Sequence, residues 1–228
     1  MRASSISVRP AWCQTSGRRD DVVIGNPVRA TIVPNDSPRE RLSARRAQRR
    51  RLLVVGGSLG ARILNQTLPR ALAAIPAERR PEVWHQAGRT EIEDARKAYA
   101  EAGVEARVEP FIDDVASAYR WADLVVARAG GITLAELSVV GVGAILVPLR
   151  IAIDDHQTRN AEHFPRAGAG LAIAEQDLTP SALASVLTSC LEDPDRLVAF
   201  AEAARREAHA DAADKLAAAC VTAAEERR

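Results

Sequence analysis

The stretch ARAGGITLAELSVVG, residues 127–141, overlaps the end of the apolar run DLVVA, residues 123–127. Its order of residues predicts a buried strand, a glycine turn at Gly130 and Gly131, and then a helix. Such a turn presents free backbone N–H groups and the positive end of a helix dipole. The stretch therefore predicts a place where an anion can bind.

Outward from this stretch, short apolar runs alternate with helical patterns from Val22 onward. Alternation of this kind predicts βαβ units and a parallel sheet. The candidate strands are continuous apolar runs, as expected when helices cover both faces of the sheet. We therefore expect an α/β fold, with a Rossmann-like parallel sheet flanked by helices.

The composition allows a globular domain and argues against several other classes of protein. A chain of 228 residues fits one large or two small domains, and an apolar fraction of 47% allows a sizeable core. A net charge of +1 argues against a general polyanion binder. The cysteines form no CxxC pair, which argues against a zinc site or a disulfide framework. No apolar run approaches the roughly 18 residues needed to span a bilayer.

The first residues, 1–21, lack both an apolar signal core and a clear helical or strand period. We expect them to form an irregular, disordered leader, with the folded domain running over residues 22–228.

A second glycine turn, GGSLGARI, spans residues 56–63. It is not a dinucleotide fingerprint, because Ser58 occupies the position of the second glycine in GxGxxG. It is not a P-loop either, because no GK[ST] follows. Ser58 can offer hydroxyl and backbone donors to a phosphate at this strand-to-helix turn. It can equally be a helix N-cap without a ligand, and the sequence does not separate the two hypotheses.

Thr133 and Glu136 have the spacing of a capping box, T-x-x-E, which would satisfy two backbone N–H groups without any ligand. In the alternative hypothesis a diphosphate lies over residues 131–133, and Glu136 accepts hydrogen bonds from a ribose diol. A carboxylate suits vicinal hydroxyls because it has two acceptor oxygens and no donor. The spacing alone slightly favours the capping box.

The stretch IDDHQTRNAEH, residues 153–163, combines acids, imidazoles and amides at the start of a predicted helix. His156 and His163 are candidate metal ligands, but no third ligand follows at helical spacing, so we expect no metal. Gln157 and Asn160 are three positions apart, which lets both amides face one pocket. Amides both donate and accept hydrogen bonds, which matches sugar hydroxyls.

The arginine-rich stretch SPRERLSARRAQRRR, residues 37–51, allows a nucleic-acid hypothesis. No aromatic residues lie between the arginines to stack on bases. We prefer a solvated helix, with Ser37 as N-cap and Pro38 as the first helical residue, leading into a strand. No nucleic-acid partner is expected.

In combination, five motifs of this chain resemble a known family: GNPVR, VVGGSLGARILNQTLP, FIDDV…Y…ADLVVARAG (with Tyr119 as its tyrosine), TLAE and DDHQTRNAE. They are similar to motifs of the bacterial undecaprenyldiphospho-muramoylpentapeptide β-N-acetylglucosaminyltransferases, the MurG family, which form lipid II. The resemblance covers about residues 22–220. It implies the C-terminal, donor-binding half of a two-domain GT-B glycosyltransferase, without the family's N-terminal acceptor domain.

Carried over position by position, the resemblance implies contacts with the nucleotide of UDP-N-acetylglucosamine. Arg29 and Ser58 would lie near the diphosphate, and Glu136 would hold the ribose hydroxyls. Ile112 would contact uracil through its backbone. The phosphates would lie against the start of the helix, formed by Gly131, Ile132 and Thr133, with Leu134 and Ala135 beside them.

On the sugar side, the resemblance implies that Gln157 and His156 contact the hydroxyls of N-acetylglucosamine. The implied reaction is an inverting transfer to the C4 hydroxyl of a lipid-linked muramoyl-pentapeptide, in peptidoglycan synthesis. No catalytic residue is expected in this chain, because the family's general base lies in the other domain. No metal or cofactor is implied, and the expected location is the cytoplasmic face of the plasma membrane.

The sequence departs from the family pattern at a few positions: Ala129 replaces a usual serine, Gly143 a proline, and Arg150 and Ile151 a proline–histidine pair. We expect these positions to flank the sugar pocket. Three hypotheses stay open on the sequence: the donor half of a MurG-type enzyme, one subunit of a two-chain transferase, and a non-catalytic nucleotide-sugar binding module.

Overall fold

The computed structural model describes residues 24–32, 36–57, 61–149 and 156–225, apart from the side chains of His156 and Ala223. The predicted leader, residues 1–21, lies outside the described residues. A six-stranded sheet forms the centre of the molecule. All strand pairs in it are parallel, as the sequence predicts.

The strands follow the order β3-β2-β1-β4-β5-β6 across the sheet. Their bounds are β1 Arg51–Val55, β2 Glu82–Gln86, β3 Arg107–Glu109, β4 Leu124–Ala127, β5 Gly143–Leu146 and β6 Gly170–Ala172. The chain winds outward in one direction from β1 and in the other from β4. The switch point of this doubly wound sheet therefore lies between β1 and β4.

Helices cover both faces of the sheet. Their bounds are α1 Pro38–Ser43, α2 Arg62–Ala73, α3 Ile92–Glu101, α4 Val115–Trp121, α5 Gly131–Val140, α6 His156–Arg166, α7 Pro180–Leu191, α8 Pro194–Arg206 and α9 Ala212–Glu225. Alternate β1 residues enter the two cores: Leu53 packs with α4, α5 and α6, and Leu52 with α2, α3 and α7. A strand buried on both faces needs a continuous apolar run, which explains the sequence RLLVV.

The local sequence accounts for several helix starts. Ser37 caps α1 in a complete capping box with Glu40, and Pro38 is its first residue, as predicted. Thr179 and Asp193 cap α7 and α8 through side-chain oxygens that accept backbone N–H groups. The start of α5 differs from these, as described below.

The arginine-rich stretch is more than a solvated helix, because it ties the amino edge of the sheet to its neighbours. Arg41 donates to the carbonyls of Val140 and Gly141, at 3.1 and 2.5 Å, where α5 ends. Arg45 donates to the Trp121 carbonyl at 2.5 Å. These guanidinium groups are thus bound within the chain, which favours the structural interpretation over the nucleic-acid hypothesis.

The last helix, α9, packs loosely on the rest of the domain. Of its residues whose side chains are described, Ala212 is buried, whereas Val221 is 57% exposed. The exposed Val221 leaves apolar surface uncovered on this helix. Within the described ranges, no helix combines the length and the apolar character needed to cross a membrane.

Arg45 and Asp123 form a buried ion pair that fastens α1 to the start of β4. The Arg45 Nη2 atom lies 2.9 Å from Asp123 Oδ1, with side chains 13% and 2% exposed. The other Asp123 oxygen accepts the Arg51 backbone N–H at 2.9 Å. One carboxylate therefore joins α1, β1 and β4.

We predict that Asp123→Ala lowers the free energy of unfolding by about 3–5 kcal/mol, because it leaves the Arg45 charge buried without its partner. Denaturant unfolding measures the loss. Asp195→Ala is the matched control, since Asp195 pairs with Arg46 at the exposed surface. It should cost less than about 1 kcal/mol. Equal losses for the two variants would contradict the prediction.

Candidate functional site

The two glycine turns found in the sequence meet at the switch point of the sheet. Val55, the last residue of β1, is paired with Ala127, the last residue of β4. The turns that follow both strands are therefore side by side at the carboxyl edge. Gly57 has φ +82°, a left-handed conformation that favours glycine. Ser58, which the sequence predicts near a phosphate, lies outside the described residues.

The N-terminus of α5 is open. Its N-cap is Gly130, and among the described residues no side chain caps the first turn. The Leu134 N–H donates to the Gly130 carbonyl at 3.0 Å. The amides of Gly131, Ile132 and Thr133 precede this bond, at the positive end of the helix dipole. The Ile132 side chain is 65% exposed here.

The capping-box alternative for Thr133 and Glu136 is wrong. It would require Thr133 to precede the helix, but α5 begins at Gly131 and both residues lie within it. The glycine pair lets the helix begin before the threonine. Within the described part of the chain the N-terminal amides thus have no side-chain acceptor, an arrangement that suits an anionic ligand.

Glu136 is a buried carboxylate, 8% exposed, with two different neighbours. The Tyr119 hydroxyl donates to Glu136 Oε2 at 3.1 Å. The Arg29 Nη2 atom lies 3.6 Å from Oε1, and the Arg29 side chain is 63% exposed. Burial raises the pKa of Glu136 above its ordinary value, while the Tyr119 hydrogen bond and the Arg29 charge act in the opposite direction.

The remaining nucleotide-side candidates differ in accessibility. Leu134 is fully buried and Ala135 is 7% exposed, so their side chains support α5. Ile112 follows β3 and is 4% exposed, so its side chain belongs to the core. Its neighbour Phe111 is 41% exposed, and the Arg89 guanidinium lies 5.7 Å from the Phe111 ring centre.

Gln157 and Asn160 share α6 but have different surroundings. The Gln157 Oε1 atom accepts the Leu149 backbone N–H at 3.0 Å, which leaves its NH2 group to donate elsewhere. Asn160 is 4% exposed, and its Nδ2 donates to the Ala129 carbonyl at 2.8 Å. The expectation that both amides face one pocket is therefore wrong, because Asn160 is bound to the glycine turn.

Of the two histidines on α6, the structure describes the side chain of His163. His156 begins α6, and its side chain is outside the described set. The His163 Nε2 atom lies 2.9 Å from Glu207 Oε2, near the end of α8. Within the described ranges, no group of three or more His, Cys, Asp and Glu residues is placed to hold a metal ion.

The positions that depart from the family pattern do not all lie near this edge. Ala129 is buried beside Asn160, within the glycine turn. Gly143 begins β5 at the amino edge, where a Cβ atom would lie 2.5 Å from Phe200 Cβ. The expectation that Gly143 flanks the sugar pocket is therefore wrong. Arg150 and Ile151 lie outside the described residues.

The sequence analysis assigns no role to two residues of the third motif that lie at this edge, Tyr119 and Arg128. Arg128 Nη1 pairs with the Glu175 carboxylate and donates to the Val147 carbonyl at 3.3 Å, next to the segment that leads to α6. Tyr119 lies 17 positions before its partner Glu136. Neither contact has a sequence signal, because each depends on how separate elements pack.

Fold and site together define a doubly wound α/β domain with a glycine-capped helix N-terminus and a buried carboxylate at its switch point. The chain belongs to the glycosyltransferase family 28 C-terminal domain family, whose sequence profile matches residues 51–216. The resemblance to the MurG family is confirmed by the relatives described next.

Two curated relatives are named UDP-N-acetylglucosamine--N-acetylmuramyl-(pentapeptide) pyrophosphoryl-undecaprenol N-acetylglucosamine transferase. The protein of Marinobacter nauticus is 50% identical over 200 residues, covering 88% of this chain and 55% of the relative. That of Nitrosococcus oceani is 51% identical over 197 residues, covering 86% of this chain and 55% of the relative. The chain thus spans little more than half the length of these relatives.

A solved structure agrees with the sequence relatives. The crystal structure of Acinetobacter baumannii MurG superposes with a TM-score of 0.78 at 32% identity. The match covers 92% of this chain and 58% of that one. The predicted fold class, a parallel sheet flanked by helices that forms one half of a GT-B glycosyltransferase, is confirmed.

We predict that Asn160→Ala loosens the α5 glycine turn, because the buried Ala129 carbonyl loses its donor. The expected cost is about 1–3 kcal/mol in the free energy of unfolding. Hydrogen exchange should also become faster in peptides covering residues 127–136. Asn65→Ala is the matched control, since buried Asn65 donates to the Ala87 carbonyl at 3.0 Å beyond β2. Unchanged exchange in Asn160→Ala, or equal acceleration in the control, would count against this role.

Proposed function

We propose that this chain supplies the donor-binding half of an inverting glycosyltransferase. The enzyme would move N-acetylglucosamine from UDP-N-acetylglucosamine to the C4 hydroxyl of a lipid-linked muramoyl-pentapeptide. The names of the relatives support this donor and acceptor, and the family match supports the class of reaction. The single observation that carries the proposal is the uncapped N-terminus of α5 with the buried Glu136 carboxylate on the same helix.

In this proposal the α5 terminus binds the diphosphate through the amides of Gly131, Ile132 and Thr133. Glu136 accepts hydrogen bonds from the ribose hydroxyls. Arg29 now rests against Glu136, and its exposed side chain would reach the diphosphate together with Ser58.

The base and the sugar would bind on either side of the diphosphate. The backbone of Ile112 contacts uracil. Gln157 donates from its NH2 group to the sugar hydroxyls, since its oxygen is bound to Leu149 N–H, and His156 assists it.

The chemistry requires charge stabilisation at the leaving group. The acceptor hydroxyl attacks the anomeric carbon, the bond to the diphosphate breaks, and UDP leaves with the electron pair. The α5 dipole and Arg29 stabilise the negative charge that develops on UDP. The hydroxyl proton goes to a general base, which we place in the N-terminal half found in the longer relatives. These groups carry the reaction without requiring a metal ion.

The acceptor and the location follow from the same proposal. The relatives' names specify an undecaprenol-linked acceptor, which is a membrane lipid. We therefore propose that the complete protein acts at the cytoplasmic face of the plasma membrane, in peptidoglycan synthesis. The acceptor would bind through the N-terminal half.

Calorimetric titration of the 228-residue chain tests the donor assignment. We predict that UDP-N-acetylglucosamine binds more tightly than UDP-glucose, because groups on α6 contact the sugar, and that NAD does not bind. Equal binding of both nucleotide sugars would remove the sugar role of α6. No binding by a folded chain would overturn the proposed donor site.

We predict that Arg29→Ala weakens UDP at least roughly tenfold and uridine much less, because a lost charge-assisted contact to phosphate costs about 1.5–3 kcal/mol. Affinities of both ligands for parent and variant give the comparison. Arg46→Ala is the control, since Arg46 is an exposed arginine at the amino edge. Equal losses for UDP and uridine would remove Arg29 from the diphosphate.

A further inference from the structure

Tyr119 is a fully buried side chain that the proposed reaction does not use. It lies on α4 and is 1% exposed. Its hydroxyl donates to Glu136 Oε2 on the neighbouring helix α5. The α4 helix is itself fixed at its start, where Asp114 accepts the Ser117 N–H at 3.0 Å. The phenol is therefore a rigid donor aimed at one oxygen of the candidate ribose-binding carboxylate.

We propose that Tyr119 is a positioning residue that holds Glu136 with Oε2 engaged and Oε1 directed toward the vicinal hydroxyls of a nucleotide ribose. This inference rests on the proposed function, since it assumes that a UDP-sugar binds at this edge. Tyr119 itself does not touch the nucleotide. It acts by fixing the orientation and the ionisation of Glu136.

The surroundings of the two carboxylate oxygens support this division. Arg29 approaches Oε1 at 3.6 Å with a mostly exposed side chain, so ribose hydroxyls can replace it. Tyr119 is enclosed by the core and cannot be replaced by a ligand. Oε2 of Glu136 thus keeps the Tyr119 hydroxyl as its donor, whereas the Arg29 contact at Oε1 can be exchanged for a ligand.

Ionisation of Glu136 depends on the same two neighbours. Among the described residues, the charged and titratable groups that face it are Arg29, from the segment before α1, and Tyr119, from α4. Burial raises the Glu136 pKa, and the Tyr119 hydrogen bond lowers it. Burial and the nearby carboxylate raise the Tyr119 pKa well above its ordinary value, so the phenol remains a donor. Loss of the hydroxyl should therefore raise the Glu136 pKa further.

Tyr119→Phe tests the proposal, because it removes the hydroxyl and keeps the ring that packs in the core. UDP and 2′,3′-dideoxy-UDP are titrated into parent and variant at about pH 7 and about pH 5.5. Both ligands carry the same diphosphate, so the ratio of their affinities isolates the ribose contacts. Tyr99→Phe is the matched control: Tyr99 is also buried, and its hydroxyl lies 2.9 Å from His85 Nδ1 between α3 and β2.

We expect Tyr119→Phe to bind UDP roughly 3- to 10-fold more weakly at about pH 7, with dideoxy-UDP nearly unchanged. The loss should grow at the lower pH, because a raised Glu136 pKa protonates the carboxylate at higher pH and removes acceptor capacity. Tyr99→Phe should leave both affinities unchanged. Equal losses for both ligands in Tyr119→Phe would indicate a packing role and overturn the proposal.

Carbon-13 NMR titration of the Glu136 side chain gives a second readout that needs no ligand, with Glu136→Gln for assignment. An upward shift of the Glu136 pKa in Tyr119→Phe supports the positioning role, and an unchanged pKa overturns it. A failure of the proposed donor site can be distinguished from a failure of the Tyr119 proposal. Absence of UDP binding to the parent contradicts the proposed donor site, whereas an unchanged pKa and UDP preference in Tyr119→Phe contradict only the role of Tyr119.

Discussion

The parallel pairing of β1 with β4 is the constraint on which the candidate site depends. Because Val55 and Ala127 are register partners, the turns after the two strands meet at one edge. The Asn160 side chain then holds the carbonyl of Ala129 and fixes the second turn against α6. At the opposite edge, Asp123 joins β4 to α1 and β1. Side-chain contacts therefore hold both ends of β4: Asn160 at the carboxyl end, next to the start of α5, and Asp123 at the amino end.

The buried Glu136 carboxylate links the fold to the chemistry. Burial of an ionised group is unfavourable unless donors compensate for the lost water. Here the permanent donor comes from α4, through Tyr119, so the packing of α4 on α5 determines the state of the site. The second donor, Arg29, is mostly exposed and makes a longer contact. The Tyr119 hydrogen bond therefore stabilises the carboxylate in the core, while the partner of its Oε1 atom can be exchanged.

Much of the fold could be predicted from the sequence, because continuous apolar strands and helical periods are local signals. The glycine turn after β4 was located in the same way. The T-x-x-E spacing was misleading, because a capping box and an internal helical pair share it, and the decision depends on whether the helix begins at Gly131. The separate surroundings of Gln157 and Asn160, and the contact between Tyr119 and Glu136, arise from tertiary packing that spacing along one helix cannot reveal.

The segment of residues 24–32 packs beside the candidate site. Ile32 is fully buried in the core formed with α4 and α5, and Arg120 of α4 donates to the Thr31 carbonyl at 3.3 Å. The same segment carries Arg29, which contacts Glu136. In the proposed function, ribose hydroxyls that take Oε1 of Glu136 would replace Arg29, while buried Ile32 keeps the rest of the segment in place. Ribose binding and the position of the Arg29 side chain would then be linked through a single carboxylate oxygen.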